Sequence, residues 1–232
     1  MGKTSRYASF DKHYVAIDSI IFGFDDDKLK LLLIKRKFEP CKGCWSLMGG
    51  FVGKEESLDD AAVRILEELT GLTDIYLEQL YAYGEVDRDL DARVISVAYY
   101  ALININHYDE ETGRRHGAHW VPIEDVPRLI FDHNIMVDKA MRRLRRKTII
   151  QPIGFELLPE KFTLPQLQRL YEAIHQETLD KRNFRKKILS MGVLTRLNEK
   201  DKLSSKRGAY LYQFDKDKYD YLIRNGNLFV MK

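Results

Sequence analysis

The sequence predicts an α+β fold followed by a small module of helices closed by a β-hairpin. Three observations carry this. The first two thirds of the chain hold several runs of β-branched and aromatic residues, interrupted by one strong helical stripe. After Pro152-Ile153-Gly154 the order changes to helix, tight turn, helix, hairpin. The charge changes sign nearby. Residues 1–140 carry 17 Lys and Arg against 25 Asp and Glu, whereas residues 151–232 carry 16 against 10. A front and a back of opposite charge read as two units with different partners, residues 1–150 and 151–232.

Tyr14 to Phe24 (YVAIDSIIFGF) and Lys28 to Arg36 (KLKLLLIKR) predict two strands joined at Asp25-Asp26-Asp27. Phe38 to Gly50 reads as a loop, with Pro40, Gly43, Gly49 and Gly50. A helix is predicted from Ser57 to Leu69. Ser57 caps it, Asp60 completes a capping box, and Gly71 stops it. Leu58, Ala61, Ala62, Ile65, Leu66 and Leu69 recur at helical spacing and give it an apolar stripe. Strands follow near Ile75–Asp87, Val94–Ile105 and His119–Ile123, then a helix from about Asn134 to Arg146.

In the back, Thr163 and Pro165 open a helix with its core face at Leu167, Leu170, Tyr171 and Ile174. Asp180 caps a second helix, KRNFRKKILSM, which Gly192 ends. Val193–Leu197 and Ala209–Phe214 then make a hairpin with the polar tip EKDKLSSKRG. That order predicts a winged helix.

The chain has 232 residues, 44% of them hydrophobic and 31% charged, which fits a globular protein. No apolar run approaches the roughly 20 residues of a membrane span. The N-terminus lacks an apolar signal region, and two cysteines make no disulfide framework. A cytoplasmic location is expected. No cofactor is expected.

The span Gly50 to Leu72 resembles the Nudix box. Gly50, Glu56, Arg64, Leu66, Glu68, Gly71 and Leu72 stand at the family's spacing, behind the lead-in Trp45-Ser46-Leu47-Met48-Gly49. The departures fall on the chemistry. The family places metal-binding glutamates where this chain has Ile65 and Leu69. On a helix those positions are i and i+4, so two carboxylates there would face one metal cluster. Glu67 lies about 100° round the helix from its neighbours and cannot simply substitute. A scaffold that keeps its glycines and its Glu56–Arg64 pair but loses its ligands predicts binding without catalysis. The alternative is a working hydrolase of ADP-ribose or a similar nucleoside diphosphate, with ligands from Glu55, Asp59, Asp60 or Glu85.

On the second helix of the back, Phe184 and Ile188 mark the buried side. Arg182, Asn183 and Lys186 then point outward, with Lys187 on the flank and Arg185 nearer the core. Arg and Asn near such a helix's N-terminus suit base edges in the major groove. The wing, with Lys206 and Arg207, suits phosphates. A Nudix-like front joined to such a back is similar to the Nudix-related transcriptional regulators. That resemblance implies operator DNA with palindromic symmetry, a homodimer and a small-molecule effector. One branch of the family senses ADP-ribose and controls NAD synthesis. Another senses pentoses and controls arabinose or xylose use. Phe38–Val52 and Ala92–Ile103 resemble the pentose branch most, so a pentose is the expected effector and ADP-ribose the alternative.

Candidate effector residues are Trp45, Arg88, Asp89 and Arg93. The last three lie in the polar loop RDLDAR, where charged side chains can bind sugar hydroxyls. Trp45 is either a core residue or a stacking platform. Cys41-Lys42-Gly43-Cys44 is a lone CxxC, which reads as a plain loop because the thioredoxin-like context of redox chemistry is absent. A structural zinc would need two further ligands, such as His116 and His119. The tract Arg142–Lys147 is either a phosphate-binding surface or a solvated helix end.

Overall fold

The computed structural model describes residues 7, 9–25, 27–73, 75–108, 111, 115, 117–202 and 208–231. Strand β1 (Tyr14–Asp25) is the centre of a mixed sheet. One of its edges pairs in parallel with β6 (Val94–Ile103) from Tyr14 to Gly23. The other edge is shared. β4 (Met48–Phe51) pairs with Ala16–Ser19, and β2 (Lys28–Lys35) pairs with Phe22–Asp25. β2 and β4 therefore fork apart beside the middle of β1. β3 (Trp45–Ser46) and β7 (Ala118–Pro122) extend the sheet beyond β2, and β5 (Tyr76–Tyr83) extends it beyond β6.

The period of two along β1 sorts its side chains between two layers. Ile17 and Ile21 face helix α1 (Leu58–Thr70), packing with Ala61, Ala62, Ile65 and Leu66. Ile20 and Phe22 face the other way, into a core shared with helix α2 (His133–Ile150). Helix α1 carries the expected capping box, with Ser57 and Asp60 bonded reciprocally. Gly71 ends it at φ 72°, a left-handed conformation that an L side chain rarely takes.

A short 3-10 turn, Pro152–Leu157, leads from α2 into the back half. There β8 (Phe162–Thr163) and α3 (Leu164–His175) precede α4 (Lys181–Ser190). The wing strands β9 (Leu194–Asp201) and β10 (Ala209–Phe214) complete the three-stranded sheet β8-β10-β9. Thr163 with Gln166, and Asp180, cap the two helices as their sequence predicts. The fold is thus the expected α+β unit followed by a winged helix.

Several features depart from the sequence reading. The Phe38–Gly50 loop contains β3 and most of β4, whose pairing residues are too short and glycine-rich to read as strands. A further helix, α5 (Lys216–Arg224), follows the wing, and Phe229 beyond it is buried. Arg185 is exposed rather than near the core. Residues 203–207 of the wing tip, among them Lys206 and Arg207, lie outside the described residues, as does His116. Among the described residues, no helix is long and apolar enough to cross a membrane.

The tract Arg142–Lys147 is largely turned inward. Arg143 and Lys147 both pair with Glu78 on β5. Arg145 donates to the Ile174 carbonyl at 2.9 Å and to Gln176, bracing the end of α3. The Met231 amide donates to the Ile149 carbonyl at 2.8 Å. Residues from both halves form one continuous core, running from Phe22 and Leu31 through Met136 and Leu144 to Leu170, Ile174 and Phe184.

Candidate functional site

Helix α1 presents the box. Arg64 clamps Glu56 through Nε at 2.9 Å and Nη2 at 2.6 Å, and Nη2 also donates to the Phe51 carbonyl at 3.2 Å. The Gly53 amide adds a bond to Glu56 at 2.6 Å. These bonds tie the loop after β4 to the helix. The Arg64 hydrogen bond, and then the Gly53 amide, hold the Glu56 carboxyl at about 2, below its ordinary 4.5. A carboxyl depressed in the folded state favours folding above its unfolded pKa. That contribution disappears as pH falls from about 4.5 to about 2. Acid titrations followed by circular dichroism should show Glu56→Gln losing this pH dependence. An unchanged acid limb would mean that the clamp does not stabilise the fold.

The metal-ligand positions do not fit a metal. Ile65 is 2% exposed and packs among Ile17, Ala61, Val97 and Tyr99. Leu69 is half-buried between the same cluster and its neighbour. Glu68 remains, 3.4 Å from Arg64 Nη1. Two of the four alternative carboxylates serve the fold, since Asp59 accepts from the Tyr99 hydroxyl and Asp60 caps α1. Among the described residues no group of three or more His, Cys, Asp or Glu could hold a metal ion.

A cavity of about 370 Å³ opens in the fork between β2 and β4. Its floor is a buried charge network. Arg88 Nε and Nη2 donate to Asp132 at 3.0 and 2.8 Å, and Nη2 also reaches Asp18 at 3.3 Å. Ser96 donates to Asp18 at 2.6 Å. His133 accepts the Leu47 amide on Nδ1 at 3.1 Å and turns Nε2 toward Asp18 at 3.6 Å. Burial keeps the His133 pKa below its ordinary value, so a neutral ring suits this geometry. Asp18 and Asp132 thus share Arg88, and the floor carries a net negative charge.

The rim has the opposite sign. Lys35, Arg36 and Lys37, at and just after the end of β2, line it together with Phe38, Phe51 and Phe131. Among the described residues none of the three cations is ion-paired with a carboxylate. The Arg36 guanidinium lies 4.2 Å from the Phe38 ring centre.

Arg88 and Asp89 line this cavity, but Trp45 and Arg93 do not. The Trp45 ring packs edge-on against His119 at 5.5 Å, and Lys35 lies 5.0 Å above it. Arg93 donates to the Glu85 carbonyl at 3.0 Å. Arg88 is committed to two carboxylates rather than facing a ligand alone. The sequence reading missed Asp18, His133 and the whole rim. A single acid inside the apolar run YVAIDSIIFGF was a signal for the first of these, because strand interiors rarely hold an unpaired charge.

On the winged helix, Arg182, Asn183, Lys186 and Lys187 are all exposed on α4, while Phe184 and Ile188 are buried against α3. In the wing, Arg196 and Lys200 stack on Tyr210 at 3.6 and 4.7 Å. Both α4 and the wing strand β9 thus carry cations.

Comparison with known proteins agrees with both halves. A NUDIX domain model matches residues 12–144, and a model described as the NrtR DNA-binding winged helix domain matches residues 154–214. The chain is 36% identical over 211 residues to the ADPR responsive transcriptional repressor NtrR of Acinetobacter baylyi, covering 89% of this chain and 84% of that one. It is 36% identical over 138 residues to an ADP-ribose pyrophosphatase of Methanocaldococcus jannaschii, covering 59% of this chain and 78% of that one. Shewanella oneidensis NrtR complexed with a 27mer DNA superposes at a TM-score of 0.79 and 30% identity, over 89% of this chain and 95% of that one. The NUDIX domain of that protein, complexed with ADP ribose, matches at a TM-score of 0.50 and 30% identity, over 61% of this chain and 94% of that one. The expected pentose branch gains no support from these relatives. Its basis was partly Ala92–Ile103, most of which is the buried strand β6, where packing rather than ligand chemistry sets the sequence. With both models matched in order, and a repressor matched along most of its length, the chain belongs to the Nudix-related transcriptional regulators, a NUDIX domain joined to an NrtR-type DNA-binding winged helix.

Proposed function

We propose that the protein is a DNA-binding transcriptional repressor whose Nudix domain senses ADP-ribose. The observation that carries this is the cavity rim. Three cations without carboxylate partners among the described residues stand beside three aromatic rings, at the mouth of a cavity of ligand size. A diphosphate matches the cations by charge-assisted hydrogen bonds, and an adenine matches the rings by stacking. A pentose has neither group, and it would leave the rim unused. The repressor relative that is named for its response to ADPR supports the same choice.

A hydrolase reading has one favourable fact, the similarity to an archaeal ADP-ribose pyrophosphatase. Against it stand Ile65 and Leu69, which remove the carboxylates that would bind magnesium. The test is calorimetry on the full-length protein with ADP-ribose, L-arabinose and D-xylose, alongside an assay for AMP. We expect heat from ADP-ribose alone and no magnesium-dependent AMP. Pentose binding without ADP-ribose binding would overturn the effector. Turnover on the order of 1 per second, abolished by Glu68→Gln, would overturn the non-catalytic reading.

DNA binding is assigned to α4 and the wing. Arg182 and Asn183 would read base edges, while Lys186, Lys187, Lys206 and Arg207 would hold phosphates. Two copies on a palindromic operator would match half-sites spaced by whole helical turns. Using a duplex selected from a randomised pool, Asn183→Ala should cost roughly 1–3 kcal/mol and blur one base position. The double change Lys206→Ala and Arg207→Ala should weaken binding to every sequence and flatten the log-log salt slope by about 0.9 for each phosphate no longer neutralised. Wild-type binding by both variants on selected and scrambled DNA would remove α4 and the wing from the interface.

A further inference from the structure

The CxxC has no part in the function described so far, yet it sits against the cavity rim. Cys41 and Cys44 are both free thiols, the first half-buried and the second exposed. They close a turn in which the Cys44 amide donates to the Cys41 carbonyl at 3.1 Å. The ends of such a four-residue turn lie within about 7 Å at Cα, which overlaps the roughly 4.4–6.8 Å span of disulfides. The turn is stitched directly to a rim residue. The Gly43 amide donates to the Arg36 carbonyl at 2.8 Å, and the Arg36 amide donates to the Cys44 carbonyl at 3.0 Å. Arg36 lines the cavity, so its backbone is set by the loop that holds both thiols.

We propose that Cys41 and Cys44 form a reversible disulfide that resets Arg36 and so tunes ligand binding by redox state. The oxidant is a low-molecular-weight disulfide of the glutathione class. The exposed Cys44 thiolate attacks one of its sulfurs, forming a mixed disulfide and releasing one glutathione thiolate. The Cys41 thiolate then attacks the Cys44 sulfur and releases the second. Two protein thiols are oxidised to one disulfide, one glutathione disulfide is reduced to two thiols, and the two protons end on those thiols. Cys41 and Gly43 both have positive φ, 65° and 83°, so a covalent ring across the turn acts on a backbone that is already tightly bent. Among the described residues, no group of three or more His, Cys, Asp or Glu includes the two thiols in a metal site.

The ligand arm of the test rests on the ADP-ribose reading, and the chemical arm does not. Full-length protein is equilibrated with oxidised or reduced glutathione and followed by intact mass, by hydrogen exchange of the peptide spanning residues 36–45, and by ADP-ribose calorimetry. The expected result is a species two hydrogens lighter, altered exchange at Arg36, and an affinity change of about fivefold or more. A thiol reductant should reverse all three, and Cys44→Ser should show none. Stable glutathione adducts in place of the internal disulfide would overturn the proposal. So would a disulfide that leaves exchange and affinity unchanged. If ADP-ribose binds neither form, the effector reading fails by itself, and mass and exchange at Arg36 decide the redox site.

Discussion

Ile65→Glu, which restores the residue that a working Nudix box carries, should destabilise the protein by about 3 kcal/mol or more without creating a hydrolase. Ile65 is 2% exposed, and its Cδ1 would lie 3.1 Å from any Cβ added at Gly50. The position is thus closed on both sides. Truncating a buried isoleucine alone costs about 2–5 kcal/mol. A carboxylate placed there also loses its hydration, with Ile17, Val97 and Tyr99 as its new neighbours. Urea denaturation at neutral pH measures the effect. Val63→Glu, on the same helix but 52% exposed, is the control and should stay within about 0.5 kcal/mol of wild type. A variant that keeps wild-type stability and gains further stability with magnesium would show that a metal site survives.

Arg88→Met should cost about 3–5 kcal/mol, because it strands two carboxylates that have little water. The side chains of Asp18 and Asp132 are 12% and 15% exposed, and Arg88 is the cation between them. Asp132 is also the residue that starts α2. Adding Asp132→Asn to the variant should recover part of the loss, giving a coupling of about 0.5–3 kcal/mol in a double-mutant cycle. Additive effects, or a single variant within about 1 kcal/mol of wild type, as a surface change would give, would mean that the floor network does not hold the cavity together.

How legible the protein was depended on what each signal reports. Local signals read well. Ser57 with Asp60, Thr163 with Pro165, and Asp180 mark helix starts because capping is a contact between residues a few positions apart. The strands of β1, β2 and β6 were legible from their apolar runs. β3 and β4 were not, since Trp45–Phe51 pairs across long sequence distances and is rich in glycine. The cavity was legible only in part. Arg88 and Asp89 stood out in a polar loop. Asp18, Lys35, Arg36, Lys37 and His133 come from separate places along the chain, and only the fork of β2 from β4 brings them together. The ligand class was the hardest to read, because the stretches that suggested a pentose largely encode packing.

Helix α2 has a mechanical consequence. Its first residue, His133, lines the cavity, Asp132 just before it holds Arg88 there, and its C-terminal end is fastened to the winged helix through Arg145, Thr148 and Ile149. Eighteen residues at 1.5 Å each make a strut of about 27 Å. The chain beyond it is packed rather than slack, because Ile153, Phe155 and Leu157 are buried immediately after it. A tilt imposed at the cavity end has no loose tether in which to dissipate, so it is expected to carry into the winged helix, whose α4 is the proposed DNA reader. The same stiffness ties the fates of the two halves. A heating scan should show one cooperative melting event, and a cut at Gln151 should yield fragments that aggregate rather than two independent folded pieces.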